Sequence, residues 1–245
     1  MKKIINGVII SISIVLIGFV ILFSLLPNIV LNVIVTLCGF TIPIFLIITT
    51  MIVEIKKSKN MKEKDKIRNF WLKVLFIIYC LLLITVLFLN NEYRMHAFQN
   101  INTNTFSKEH FEMSNIIPFA TITDYISSLV SNEINTNIVI INFATNLLLF
   151  APMGFFISIL YSDRIKNIKQ FAILMIVSAL IVEVLQFITF RGSTDIDDVI
   201  LNTIGAVIVY LLMKTKFVKK LLKKLLIYQN KYNLTKWIKD IIILH

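Results

Sequence analysis

Apolar residues run almost unbroken along this chain for stretches long enough to cross a bilayer, and the polar positions that interrupt them are few. A helix needs roughly 20 predominantly apolar residues to span the hydrocarbon core. Six such runs are expected, near Ile4–Leu26, Asn28–Val53, Phe70–Asn90, Ile138–Leu160, Gln170–Phe190 and Asp198–Met213. The first follows Lys2 and Lys3 but has no small-x-small cleavage site, and it continues through Pro27 and Asn28 into the next run, so it reads as an uncleaved helical hairpin. The predicted fold is all-α: a polytopic membrane helical bundle of about six transmembrane helices, with amphipathic helices at the interface.

Two segments carry a helical period with one polar face. In the long connection 91–137, Ile122, Tyr125, Ile126 and Leu129 follow i, i+3, i+4, i+7 spacing, which predicts a short helix lying on the membrane surface. Thr121 and Thr123 are its candidate caps, and Pro118 in Asn115–Phe119 suits a first helical turn, where the missing N–H does no harm. Past Lys214, leucines and Phe217 fall on one face, and Lys219, Lys220, Lys223 and Lys224 fall on the other. That pattern predicts an in-plane helix held by apolar burial and by anionic lipid. Trp237 and Ile241–Leu244 extend the attachment. The chain is thus expected to divide into a two-helix hairpin with a basic loop (1–69), a four-helix membrane domain (70–213) and a basic tail (214–245).

Charge orients the bundle. The formal net charge is +11, and lysine and arginine collect at Lys2–Lys3, Lys56–Lys73, Arg164–Lys169 and the tail, whereas Arg94, Lys108 and Arg191 are alone on the other side. Cytoplasmic loops carry the positive excess, so both termini are expected inside. No basic motif interleaved with aromatics appears, which excludes a nucleic-acid partner. Cys38 and Cys80 lie on separate spans and read as two buried thiols.

Intramembrane ionisable side chains cost several kcal/mol each and are rarely decoration. At the expected depths, Asn142, Asn146, Glu183, Gln186 and Asn202 point at one outer-leaflet region, with Arg191, Asp195, Asp197 and Asp198 at its rim. A carboxylate at the depth of Glu183 suits an acid, a base or a proton carrier, or else a structural partner of Arg191 or the amides. Asp197 or Asp198 would cap the last helix, whose N-terminal end favours negative charge. A divalent cation held by Asp195, Asp197 and Asp198 is the alternative to a capped loop; no other cofactor is expected. His96 and His110 lack partner ligands at metal spacing. The chain has no H-E-x-x-H, G-x-S-x-G or G-x-x-x-x-G-K.

Four blocks together resemble the VanZ-like membrane proteins: Asn115-Ile-Ile-Pro118-Phe119; Asn142 and Asn146 followed by Pro152 and Gly154; Glu183 and Gln186; and Arg191, Asp195, Asp197, Asp198, Asn202 and Gly205. They occur in the family's order over roughly residues 75–213. Thr145 and Val209 stand where members commonly have Gly, and Thr194 where an aromatic is common. The resemblance implies a bacterial cytoplasmic-membrane protein of the cell envelope, in a family associated with resistance to the lipidated glycopeptide teicoplanin. Two functions follow as expectations. One is an outward-facing polar site for a lipid-linked envelope component or a lipoglycopeptide antibiotic, with membrane lipids as further partners. The other is an intramembrane enzyme on a lipid-linked envelope precursor, with Glu183 as acid or base.

Overall fold

Asparagine and aspartate open the helices of this chain. Asn60, Asn135, Asn167 and Asp195 each accept a backbone N–H two or three residues ahead at 2.9 Å. Each thereby satisfies a donor that has no partner within the helix. The structure, a computed structural model, describes residues 2–25, 33–89, 114–131, 135–189 and 194–224. Along these run α1 (Lys2–Leu25), α2 (Val33–Lys57), α3 (Met61–Ile84, extended by a π-helical turn Thr85–Leu89) and α4 (Ala120–Val130). Then follow α5 (Thr136–Leu149), α6 (Ala151–Leu160), α7 (Ile168–Ile188), α8 (Ile196–Lys214) and α9 (Lys216–Lys224).

The described residues contain no strand, and five stretches are long and apolar enough to cross a membrane: Gly39–Lys57, Met61–Phe88, Val139–Leu160, Ile168–Ile188 and Ile196–Lys214. The backbone of α1 is helical throughout, and its apolar stretch Gly7–Ile21 belongs to the same bundle. Large apolar side chains such as Phe45, Ile173 and Ile181 stand more than half exposed on the outer faces of the helices. Water would penalise that surface; hydrocarbon does not. The fold is an all-α polytopic membrane bundle with amphipathic helices attached.

Two boundaries differ from those expected. Helix α3 begins at Met61, well ahead of the apolar run from Phe70, because the basic segment is itself helical from its Asn60 cap onward. The expected span 138–160 is two helices. Pro152 has no N–H to give, and Met153 N donates to Phe150 O at 2.9 Å, so the chain breaks at Phe150. The break leaves the Leu149 carbonyl open, and the Tyr79 hydroxyl donates to it at 2.6 Å.

That bond joins the two halves of the core. Ile17, Phe40, Ile47, Trp71 and Leu75 pack α1, α2 and α3 together, and Phe156 of α6 reaches into the same cluster beside Tyr79. The second cluster gathers Phe150, Ile157, Phe171, Met175, Ala206 and Tyr210 from the α5–α8 region. Helix α8 lies against α5, α6 and α7. Cys80 is a free, half-buried thiol on the first cluster, as expected of a small apolar side chain. Trp237, His96, His110 and the side chain of Cys38 lie outside the described residues.

Ring contacts fix which ends of the helices lie together. Phe76 of α3 meets Phe156 and Tyr161, and Phe171 of α7 stacks on Tyr210 of α8 at 4.2 Å. Lys214 lies over that same Tyr210 ring, 4.3 Å from its centroid. One end of the bundle therefore collects the start of α3, the Arg164–Lys169 turn and α9. The acidic residues of α8 lie at the other end, with α4.

Candidate functional site

At the acidic end the chain makes its one isolated β-bridge among the described residues, a parallel pairing of Asn115 with Asp195. Asn115 N donates to Thr194 O at 2.7 Å, and Ile196 N donates to Asn115 O at 2.9 Å. The side chains tighten the pairing. Thr121 Oγ1 donates to Asp195 Oδ2 at 2.7 Å, and Asn115 Nδ2 donates to Thr121 Oγ1 at 2.7 Å. Two short segments some 80 residues apart in sequence are thus held as a pair.

Asp197 caps a helix other than its own. Its carboxylate accepts Phe119 N at 2.5 Å and Ile122 N at 3.1 Å, closing the N-terminus of α4. Phe119 occupies the cap position with φ 68°, in the left-handed region, and supplies no side-chain cap. Asp197 is 1% exposed, and these two N–H donors satisfy a carboxyl group that burial takes out of water. Asp195 caps α8, accepting Asp197 N at 2.9 Å. The expected capping roles are therefore redistributed. Asp195, not Asp197 or Asp198, caps the last helix. Thr121 turns to Asp195, Thr123 donates to Ala120 O, and Pro118 precedes the helix instead of occupying its first turn.

Glu183 is 4% exposed, on the face of α7 that carries Phe171, Met175 and Ala179. Its Oε2 accepts Asp195 N at 3.0 Å, so its partner is a backbone amide and not a side-chain amide. Gln186 lies one turn on, partly buried. Arg191 lies outside the described residues. Asp198 points toward α5, where Asn146 Nδ2 donates to Asp198 Oδ1 and Asn142 Oδ1 accepts from Asn146 at 3.3 Å. Asn142 Nδ2 in turn donates to the Tyr125 hydroxyl at 3.0 Å. A line of polar groups thus runs from α4 through α5 to α8. Burial, with the charges of Asp198 and Asp195, holds the Tyr125 hydroxyl above its ordinary range. Asn202, one turn beyond Asp198, is 5% exposed, and its Oδ1 has no hydrogen-bond partner.

Glycines set these distances. A Cβ on Gly205 would collide with the Leu147 carbonyl of α5, and one on Gly154 would meet the backbone of Ala206 and Tyr210 and the Cβ of Val209. Val209 is accommodated by Gly154 on the facing helix, where a side chain would meet its Cβ.

The structure therefore brings Asn115, Asn142, Asn146, Glu183, Asp195, Asp197, Asp198 and Asn202 to the acidic end, with Pro118 and Phe119 in the α4 turn. Sequence reasoning missed Thr121 as a partner of Asp195, and Tyr125 as more than an apolar-face residue. The polar tip of a tyrosine on an amphipathic face was the available signal. Among the described residues no group of three or more His, Cys, Asp or Glu is placed to hold a metal ion, and the Asp195 and Asp197 oxygens already accept N–H and O–H donors. No lysine or arginine among the described residues pairs with the four carboxylates.

No curated protein and no solved structure matches the chain. A family model described as VanZ/LLP1 matches residues 76–219, from the middle of α3 into α9 and through every residue of the polar cluster. With more than half of its length covered, the chain belongs to the VanZ/LLP1 family.

Proposed function

We propose that this VanZ-like protein is a multi-pass protein of the bacterial cytoplasmic membrane with both termini in the cytoplasm. Its acidic end is an outward-facing site for the headgroup of a lipid-linked envelope component or of a lipoglycopeptide antibiotic, and it contributes to teicoplanin-type resistance. The observation that carries the reading is the half-buried line Tyr125–Asn142–Asn146–Asp198, which ends one helical turn from the buried Asn202 with its unpartnered Oδ1. Leaving a buried acceptor open costs about 1–3 kcal/mol, which a donor on a bound headgroup would recover. The positive-inside rule supports the orientation, since the bundle's other end holds the lysines.

The enzyme reading has less support. Asp195, Asp197 and Glu183 are bonded to backbone amides, which suits holding a site better than turning over a substrate.

The test is paired: membrane abundance by blot, and lipoglycopeptide tolerance with envelope-lipid profile, in the same strains. Glu183→Gln and Asp198→Asn keep an oxygen for Asp195 N and for Asn146, so abundance should stay normal while the phenotype is lost. Asn146→Ala should lower abundance, because Asp198 then loses its partner. Full phenotype at normal abundance in both carboxylate variants refutes the site. Reporter fusions at Lys62, Arg164 and the C-terminus should read cytoplasmic, and a C-terminus found outside refutes the orientation.

A further inference from the structure

The hydrogen-bonding groups of the acidic end sort into those already matched and those still open. Asp195 accepts from Asp197 N, Thr121 and Asn115, and Asp197 accepts from Phe119 N and Ile122 N. These two carboxylates are fully engaged in holding α4 to α8. Glu183 and Asp198 each accept a single hydrogen bond, from Asp195 N and from Asn146. Asn202 has an open acceptor in a side chain more than nine-tenths buried. Glu183, Asp198 and Asn202 therefore each offer an open acceptor oxygen, and two of the three belong to carboxylates.

The three also lie near one level. The stacked pair Phe171 and Tyr210 marks a shared depth on α7 and α8. Glu183 and Asp198 are each twelve residues from it, about 18 Å at the helical rise of ~1.5 Å per residue. Asn202 lies one turn deeper on α8, between the Gly205 side that faces α5 and the Tyr210 side that faces α7. That position sets Asn202 on the α8 face between α5 and α7, one turn below Asp198.

We infer that the site takes a primary ammonium group, with Glu183, Asp198 and Asn202 receiving its three N–H donors. This rests on the acidic end being a ligand site at all. An ammonium carries three donors and no acceptor, which matches three open acceptors. Its charge offsets that of two carboxylates, and charge-assisted hydrogen bonds are the strong ones in a desolvated seam. A phosphate would meet like charge and acceptors only. Amine-bearing lipid headgroups and aminosugars share the chemistry.

The experiment uses the full chain in phosphatidylcholine nanodiscs, whose headgroups carry no N–H, with thermal stability as the readout. Glucosamine is titrated against N-acetylglucosamine, the same sugar without the ammonium. In a parallel arm phosphatidylethanolamine replaces part of the phosphatidylcholine, which separates a lipid-borne amine from a soluble one. At least one amine should raise the melting temperature while its neutral or N–H-free counterpart does not. Glu183→Gln and Asp198→Asn, which keep the native hydrogen bonds, should each weaken the midpoint at least tenfold. Equal stabilisation by N-acetylglucosamine, stabilisation by magnesium chloride with the same dependence on both carboxylates, a shift that survives both variants, or no shift from either amine would overturn the inference. Loss of phenotype in these variants without amine selectivity would leave the site standing and its ligand class wrong. Amine binding without a phenotype would do the reverse.

Discussion

Asp197→Ala should release the amphipathic helix α4 from the bundle. The native carboxylate receives Phe119 N at 2.5 Å and Ile122 N at 3.1 Å, and no side chain of α4 caps that end. Losing an N-cap costs ~0.5–2 kcal/mol, and hydrogen bonds to a charged group contribute ~1.5–3 kcal/mol each. The two bonds share one carboxylate and its desolvation, so the net loss should be about 2–4 kcal/mol. The Phe119 and Ile122 amides lie where a helix has no internal acceptor, so their protection from hydrogen exchange reports Asp197 alone. At ~1.4 kcal/mol per tenfold, both should exchange about 30- to 1,000-fold faster in the variant. Asp197→Asn, with one carbonyl oxygen left, should fall between. Wild-type protection of both amides in Asp197→Ala would refute the capping role and with it the link between α4 and α8.

Other expectations can be checked on the same protein. Gly205→Ala should reduce membrane abundance and melting temperature, toward the upper end of the ~1–3 kcal/mol usual for overpacking, because the obstacle is the Leu147 backbone carbonyl. Tyr79→Phe should cost about 1 kcal/mol by thermal unfolding. The loss should shrink in a Pro152→Ala background, where position 152 regains an N–H and the helix can close over the break. In an alkaline absorbance titration Tyr125 should ionise later than an ordinary tyrosine, and Asp198→Asn should move its midpoint down; an unmoved midpoint would show that Asp198 does not reach it.

The spans were legible because a membrane helix declares itself by length and apolarity alone, and the depth of Glu183 and Asn202 follows from counting residues at a fixed rise. Which acid does what was not legible. Asp195, Asp197 and Asp198 occupy neighbouring positions, yet one caps its own helix, one caps a helix 75 or more residues upstream, and one turns to Asn146. Periodicity gives the face on which a side chain leaves its helix. It does not give the rotation of the facing helix, which here depends on Gly205 against Leu147 and Gly154 against Ala206. The break at Pro152 was readable; its consequence, an open Leu149 carbonyl that recruits Tyr79 from α3, depended on a contact 70 residues away.

The same arrangement explains why so many acids gather at one end of a membrane bundle. A short helix such as α4, with no fully buried side chain of its own, gains little from packing and would be marginal by itself. Asp197 supplies its missing cap, and Asp195 holds Thr121 and, through the β-bridge, Asn115 on its N-terminal side. Glu183 fixes the Asp195 amide in turn, so α4, α7 and α8 share one chain of bonds. Asp198 and Asn202 stand outside that chain, on the α8 face toward α5 and the seam with α7. Structural acids are therefore those bonded to the backbone of α4 or of the α8 cap, and the site we propose draws on Asp198, Asn202 and the second oxygen of Glu183. If that division holds, Asp197 variants should fail by losing α4, and Asp198 variants should fail with α4 still in place.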